Sequence, residues 1–164
     1  MARDVTNFIK ITVPILLLRK HADLRDELQA AALAAGGATS HEANGIWFDA
    51  RGAAHEERVY VFTYNFTDEA SVRVDRATRR VVDAMFLLGE QAVMKERNYT
   101  ERTARILASD TGYKARIIHA PPHLNQQRAL KLPDVIADDQ SMRTIQMRDP
   151  TSRGSALHDS NHIN

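Results

Sequence analysis

The sequence predicts an α+β fold in which an antiparallel sheet carries two helices on one face. Its elements follow in the order strand, helix, strand, strand, helix, strand. Three observations predict it. Two stretches have helical apolar periodicity and are closed by glycine, one segment alternates with period two in tyrosine, phenylalanine and valine, and turn residues separate them. Two such split units, side by side, make the ferredoxin-like βαββαβ plan.

Phe8 to Leu18 is rich in Ile, Val and Leu and reads as a central strand, with Pro14 implying an edge or a bulge in part of it. Asp23 to Ala35 reads as a helix, because Leu24, Leu28, Ala31 and Ala35 recur at helical spacing and Gly36-Gly37 supplies a left-handed stop. Thr39 to Phe48 is the second strand, and the turn at Asp49 to Gly52 leads into Glu56 to Phe66, which alternates. Parity groups Val59 with Val61, and Arg58 with Tyr60 and Phe62. If the helices cover the smoother valine face, the Tyr60, Phe62 and Tyr64 face is left for a partner subunit; if parity is reversed, the valines are left instead. Thr67 or Asp68 can cap the second helix, with Glu69 in its first turn. Val74, Ala77, Val81, Ala84, Met85 and Leu88 mark its buried face, and Gly89 ends it. A short strand follows around Gln91 to Lys95. Arg102 to Leu107 and Tyr113 to His119 read as two further strands about the turn Ser109 to Gly112.

A chain of 164 residues suits one compact domain, residues 1–120, with an extension, residues 121–164. The extension is polar after Pro121-Pro122 apart from Leu130 to Ile136, and its composition predicts disorder from about Arg148. A formal net charge of +1 provides no bulk attraction to nucleic acid or membrane. The absence of cysteine excludes disulfides, thiolate catalysis and cysteine-ligated zinc, and suits a cytoplasmic setting. The apolar run Val13 to Leu18 is too short to span a bilayer, and Arg19-Lys20-His21 stands where a signal peptide would have small residues.

Motifs for dinucleotide binding and for a serine nucleophile elbow are absent, since Gly36-Gly37 follows a helix instead of a strand. His119 with His123, and His158 with His162, are spaced four apart. Two prolines interrupt the first pair and the second lies in the tail, so no metal and no cofactor are expected. Three other features invite attention. Glu56-Glu57 opens the alternating strand, Trp47 is the single tryptophan near the end of the preceding strand, and Gln91 enters the fourth strand. Taken singly, they read as a solvated hairpin end, a packing residue and a helix cap.

Together they resemble the bacteriophage S-adenosylmethionine-degrading enzymes, called SAM hydrolases and then SAM lyases. The resemblance runs from about Gly45 to Ile117 through Gly45-Ile46-Trp47, Glu56-Glu57-Arg58-Val59 with Val61, Glu90-Gln91 with Val93-Met94, and Gly112-Tyr113-Lys114-Ala115-Arg116. It implies a GlnB-like homotrimer with active sites at subunit interfaces and S-adenosylmethionine as substrate, working in the cytoplasm of a host cell. By the same resemblance one glutamate of the doublet is essential, while Trp47 and Gln91 bind substrate; Tyr60, on the face left for a partner subunit, is a further substrate-binding candidate. Trp47 stands where the family has a tyrosine, and the hairpin is shorter by a residue. Parity with helices on the valine face points to Glu56. Counting from the aromatic on the preceding strand points to Glu57, which is preferred because the count starts from a family anchor. The implied reaction cleaves the substrate to methylthioadenosine and homoserine lactone, in the service of phage counter-defence against restriction–modification. The alternatives are hydrolysis to homoserine, or a GlnB-like trimer that only binds a small ligand.

Overall fold

The computed structural model describes residues 5–48 and 51–124. The expectations for the apolar patch at 130–136 and the disorder from 148 lie outside the described residues. The elements are β1 (Asn7–Pro14), α1 (Ile15–Lys20), α2 (Ala22–Ala35), β2 (Thr39–Phe48), β3 (Ala54–Phe66), a 3-10 turn (Asp68–Ala70), α3 (Ser71–Leu88), β4 (Ala92–Tyr99), α4 (Glu101–Ile106) and β5 (Gly112–His119). One five-stranded sheet has the order β2-β3-β1-β4-β5, and every neighbouring pair is antiparallel. The ferredoxin-like βαββαβ plan is therefore present, with β5 added beyond β4. No helix among the described residues is long and apolar enough to cross a membrane.

The core lies between the sheet and the pair α2 and α3. Ile9, Ile11 and Val13 of β1, Tyr64 and Phe66 of β3, and Val93 and Tyr99 of β4 meet Leu24, Leu28 and Ala31 of α2 and Val74, Val81 and Met85 of α3. Both helices end as their glycines dictate. Gly36 takes φ 86° and Gly89 φ 126°, and the amides of Gly37 and Glu90 reach back to Ala32 O and Met85 O at 2.8 and 3.1 Å. Thr67 makes no side-chain cap to the following turn. Asp68 ties elements together instead. Its Oδ1 accepts from Asn7 Nδ2 at 2.9 Å, Thr100 Oγ1 at 2.5 Å and Thr103 Oγ1 at 2.7 Å, and Asn7 Oδ1 accepts from Thr100 N at 2.9 Å. This clasp joins the start of β1, the turn before α3 and the start of α4.

The structure corrects four expectations. The run Phe8 to Leu18 is not one strand. Pro14 has no N–H to carry the ladder on and ends β1, with Ile15 opening a six-residue helix that packs Leu17 and Leu18 on the core. Arg102 to Leu107 is mostly helix, since Thr100 caps it by accepting from Thr103 N at 3.1 Å. The fourth strand runs to Tyr99 instead of stopping near Lys95.

The fourth correction concerns the face of β3. Tyr60, Phe62 and Tyr64 pair with Val13, Ile11 and Ile9, so they lie on the helix-covered face. Tyr64 is fully buried, its hydroxyl donating to Leu28 O at 3.4 Å. The physical reason is volume. α2 turns Leu24, Leu28 and Ala31 to the sheet with Ala32 and Ala35 beside them, and a close-packed interior sets large residues opposite the small ones. The uncovered face carries Val59, Val61 and Thr63 instead.

Candidate functional site

β3 is 13 residues long and β1 only 8, and their pairing stops at Pro14 with Val59. Beyond that point, Asn44 to Phe48 and Ala54 to Arg58 pair with each other alone. The hairpin therefore projects past the sheet as a two-stranded arm, a form marginal in water by itself. The arm carries exposed Ile46 (67%), Trp47 (45%) and Phe48 (65%).

Counting outward from the turn, Trp47 stands opposite His55 and Gly45 opposite Glu57. Side chains alternate, so Trp47, His55, Gly45 and Glu57 share the face without helices. The Trp47 ring stacks on His55 with centroids 4.3 Å apart and planes 17° apart. Glu57 is half-buried beside it, diagonal to Trp47 across the hairpin. Opposite Glu57 the strand presents only Gly45, where an added Cβ would sit 3.8 Å from Val59 Cγ1. Burial raises the Glu57 carboxyl above its ordinary value.

Glu56 is exposed on the other face of the arm, opposite Ile46. Tyr60 is half-buried under the helix layer, where it lines a hollow with Leu28, Ala32 and Phe62. Trp47 and Glu57 are thus brought together, while Glu56 and Tyr60 are turned away from them. Gln91 is exposed at the entry of β4, with Nε2 3.5 Å from Gly89 O and its backbone carbonyl accepting from Ala120 N at 2.9 Å. It shares an end of the sheet with Glu57, but β1 lies between their strands, a lateral offset of about 10 Å. Sequence reasoning missed His55; a hairpin counted from a turn at Asp49 to Gly52 would have set it opposite Ile46, and only the register pairs it with Trp47.

The uncovered face continues away from the arm. Phe8 lies 6.4 Å from Tyr113 between ring centroids, Lys10 Nζ stands 5.2 Å above the Phe8 ring, and the Tyr113 hydroxyl donates to Glu96 Oε1 at 2.6 Å. Met94 and its cross-strand neighbour Ile117 are exposed on the same face. Among the described residues, no group of three or more His, Asp or Glu is placed to hold a metal ion.

No family model matches the chain, and no curated protein matches it significantly. Among solved structures it is similar to a phage SAM lyase in complex with S-methyl-5'-thioadenosine, at 15% identity and a TM-score of 0.45, covering 73% of this chain and 95% of that one. It is similar also to a phage SAM lyase in the apo state, at 12% identity and a TM-score of 0.42, with the same coverage.

Proposed function

We propose that the protein degrades S-adenosylmethionine at a site built on the β2–β3 arm, with Glu57 and Trp47 as its central residues. The observation that carries this reading is their juxtaposition: a half-buried carboxylate diagonal to a partly exposed indole, opposite a glycine, on the face that no helix among the described residues covers. The sequence resemblance from Gly45 to Ile117 supplies the substrate.

The chemistry asks little of the protein. The sulfonium leaves as neutral methylthioadenosine, and the substrate's own carboxylate is the nucleophile. Its oxygen bonds to Cγ as the Cγ–S bond breaks, the electron pair stays on sulfur, and homoserine lactone results. Holding that near-attack geometry can supply up to roughly 7–11 kcal/mol. Glu57 fixes the α-ammonium through a charge-assisted hydrogen bond, stronger for a partly desolvated carboxylate. Trp47, with His55 behind it, offers its face to the adenine or the sulfonium, a cation–π contact of about 0.5–2 kcal/mol.

The site of one chain is incomplete. Ile46 and Phe48 project from the arm, and Gln91 is a strand away from Glu57, so we assign the remaining contacts to neighbouring copies in a homotrimer. Such an assembly would bury the arm and the uncovered sheet face together. The setting is then a phage-infected cytoplasm, where removing S-adenosylmethionine disables restriction–modification systems that need it.

The raised Glu57 carboxyl favours one second reading, in which it acts as a general base on water and homoserine is the first product. One experiment tests both. S-adenosylmethionine is incubated with substoichiometric protein, and products are followed by mass spectrometry from the earliest times. Lactone before homoserine supports the lyase reading, homoserine from the start supports hydrolysis, and no turnover rejects both.

A further inference from the structure

We infer that the protein has a second small-molecule site, an anion pocket on the helix side of β4 and β5 that takes a phosphate ester with an apolar body. β4 and β5 lie at the end of the sheet where the covering helix is the six-residue α4, and a cavity of about 510 Å³ remains between them, α3 and residues 107–109. That volume suits a small organic ligand. The cavity is on the opposite face of the sheet from Glu57 and Trp47, and its existence does not depend on the reading of that site.

Its electrostatics are unbalanced. Arg79, Lys95, Arg97, Lys114 and Arg116 line it, against the carboxylates of Asp75 and Asp83. Lys95 has a side chain only 13% exposed, and among the described residues its one anionic neighbour is Asp75, at 3.9 Å. That carboxylate already accepts from Arg79 Nε at 2.8 Å. Desolvation accordingly lowers the Lys95 pKa. At the rim, Asp110 is shared by three cations: it pairs with Lys114 and lies 3.9 Å from Arg97 and 4.0 Å from Arg116. Its side chain is 62% exposed, so solvent weakens each pairing. An ammonium so nearly buried with no close acceptor is unfavourable until an anion or water meets it.

The geometry selects among anions. Arg97 is held in place, donating to Asp110 O at 2.8 Å and Gly112 O at 3.3 Å, with its guanidinium 4.3 Å from the Tyr99 ring centroid. Arginine forks match phosphate oxygens, and Lys95 adds a point charge behind them. Val82, Phe86, Leu107 and Ile118 form an apolar wall. The wall gives an aromatic or aliphatic body somewhere to lie, and free phosphate gains nothing from it.

The test is calorimetric titration of the full chain with phenyl phosphate, and separately with inorganic phosphate. Phenyl phosphate is expected to bind at least about fivefold tighter, because of the apolar wall. Lys95→Met keeps the length of the buried stem and is expected to weaken phenyl phosphate binding about tenfold or more. Arg116→Gln, at an exposed rim position that cannot unfold the protein, is expected to weaken it severalfold. Glu57→Gln is expected to leave it unchanged, which separates this pocket from the site on the arm. Absence of millimolar binding overturns the inference, as does phenyl phosphate affinity unchanged in both cavity variants, or equal affinity for the two probes.

Discussion

The two faces of the sheet are built from the same strands and have opposite characters. On the covered face, Tyr64, Phe66, Ile9 and Ile11 are all buried to within 1% and lock against α2 and α3. On the uncovered face, valines, threonines, Lys10 and Glu96 alternate with exposed Tyr113, Met94 and Ile117. The covered face is filled by volume, the rings of Tyr64 and Phe66 sharing one core with the leucines and alanines of α2. The uncovered face is graded. It is polar near Glu96 and Lys10, and on the arm it becomes a desolvated carboxylate beside an indole. The difference teaches where to look for chemistry: tyrosine-rich parity marks the core here, and the plainer valine parity leads to the candidate site.

The sharpest way to break this comparison is to exchange the two glutamates that straddle it. Glu57→Gln keeps shape and removes charge on the uncovered face, and turnover of S-adenosylmethionine is expected to fall at least about 100-fold, roughly 2.7 kcal/mol. Glu56→Gln, on the other face of the arm, is expected to cost less than about tenfold. Initial rates of methylthioadenosine release measure both. Equal losses would mean that the face does not decide the role.

The arm itself offers the next test. In Ile46→Ser/Phe48→Ser its exposed apolar residues are gone, and light scattering should shift from about three times 18.4 kDa toward a single chain, with activity lost alongside. A wild-type chain that is monomeric at micromolar concentration would remove the shared-site argument altogether.

Asp68 tests how far the covered side depends on polar clasps as well as packing. Asp68→Ala removes the acceptor shared by the Asn7 amide and the Thr100 and Thr103 hydroxyls, and urea unfolding should show a loss of about 2–3 kcal/mol. The wild-type dependence on pH has a definite sign. Hydrogen bonds from Thr100, Asn7 and Thr103 hold the carboxyl down at about 2, below its ordinary 3.8. The folded state therefore binds this proton less readily than the unfolded chain. The contribution is complete above about pH 4 and is lost as pH falls through about 2. In Asp68→Asn this acid-limb slope should be smaller, and an unchanged slope would place the acid sensitivity elsewhere.

The smallest expected effect belongs to Tyr60. Tyr60→Phe changes a hydroxyl beneath the helix layer, away from Glu57, so stability should change by no more than about 0.5 kcal/mol. The turnover rate should stay within about twofold. A large drop in rate with unchanged melting would return Tyr60 to the substrate, as the sequence reading expects.

Most of the fold was legible in the chain, for local reasons. Glycine at the ends of α2 and α3, helical spacing of Leu24, Leu28, Val74 and Val81, and period-two alternation in β3 each report on a few residues' own backbone preferences. What was misread involved neighbours. The segment Arg102 to Leu107 has no strong periodicity, and Thr100 decides it as helix by capping it. Pro14 was correctly seen as an interruption, yet whether the chain bulges, edges or turns into helix after it depends on the core waiting for Leu17 and Leu18.

The candidate site divides along the same line. The sequence by itself determined that a carboxylate doublet and a lone tryptophan flank one tight turn, because hairpin pairing follows from counting. Which glutamate shares a face with Trp47 does not follow from that count, since a turn at Asp49 to Gly52 would set Trp47 opposite Ala54 and Glu56 on its side, whereas the register sets Trp47 opposite His55 and Glu57 on its side. Only the tertiary structure decided which of those sides is left bare. Alternation assigns residues to two faces without saying which face the helices take, and that choice was made by packing against α2, distant in sequence, whose Leu24, Leu28 and Ala31 share the core with Tyr64 and Phe66. The excess of cations around Lys95 was equally hidden, because α3, β4 and β5 contribute them from distant positions, and a charge deficit of that kind exists only once the chain has folded.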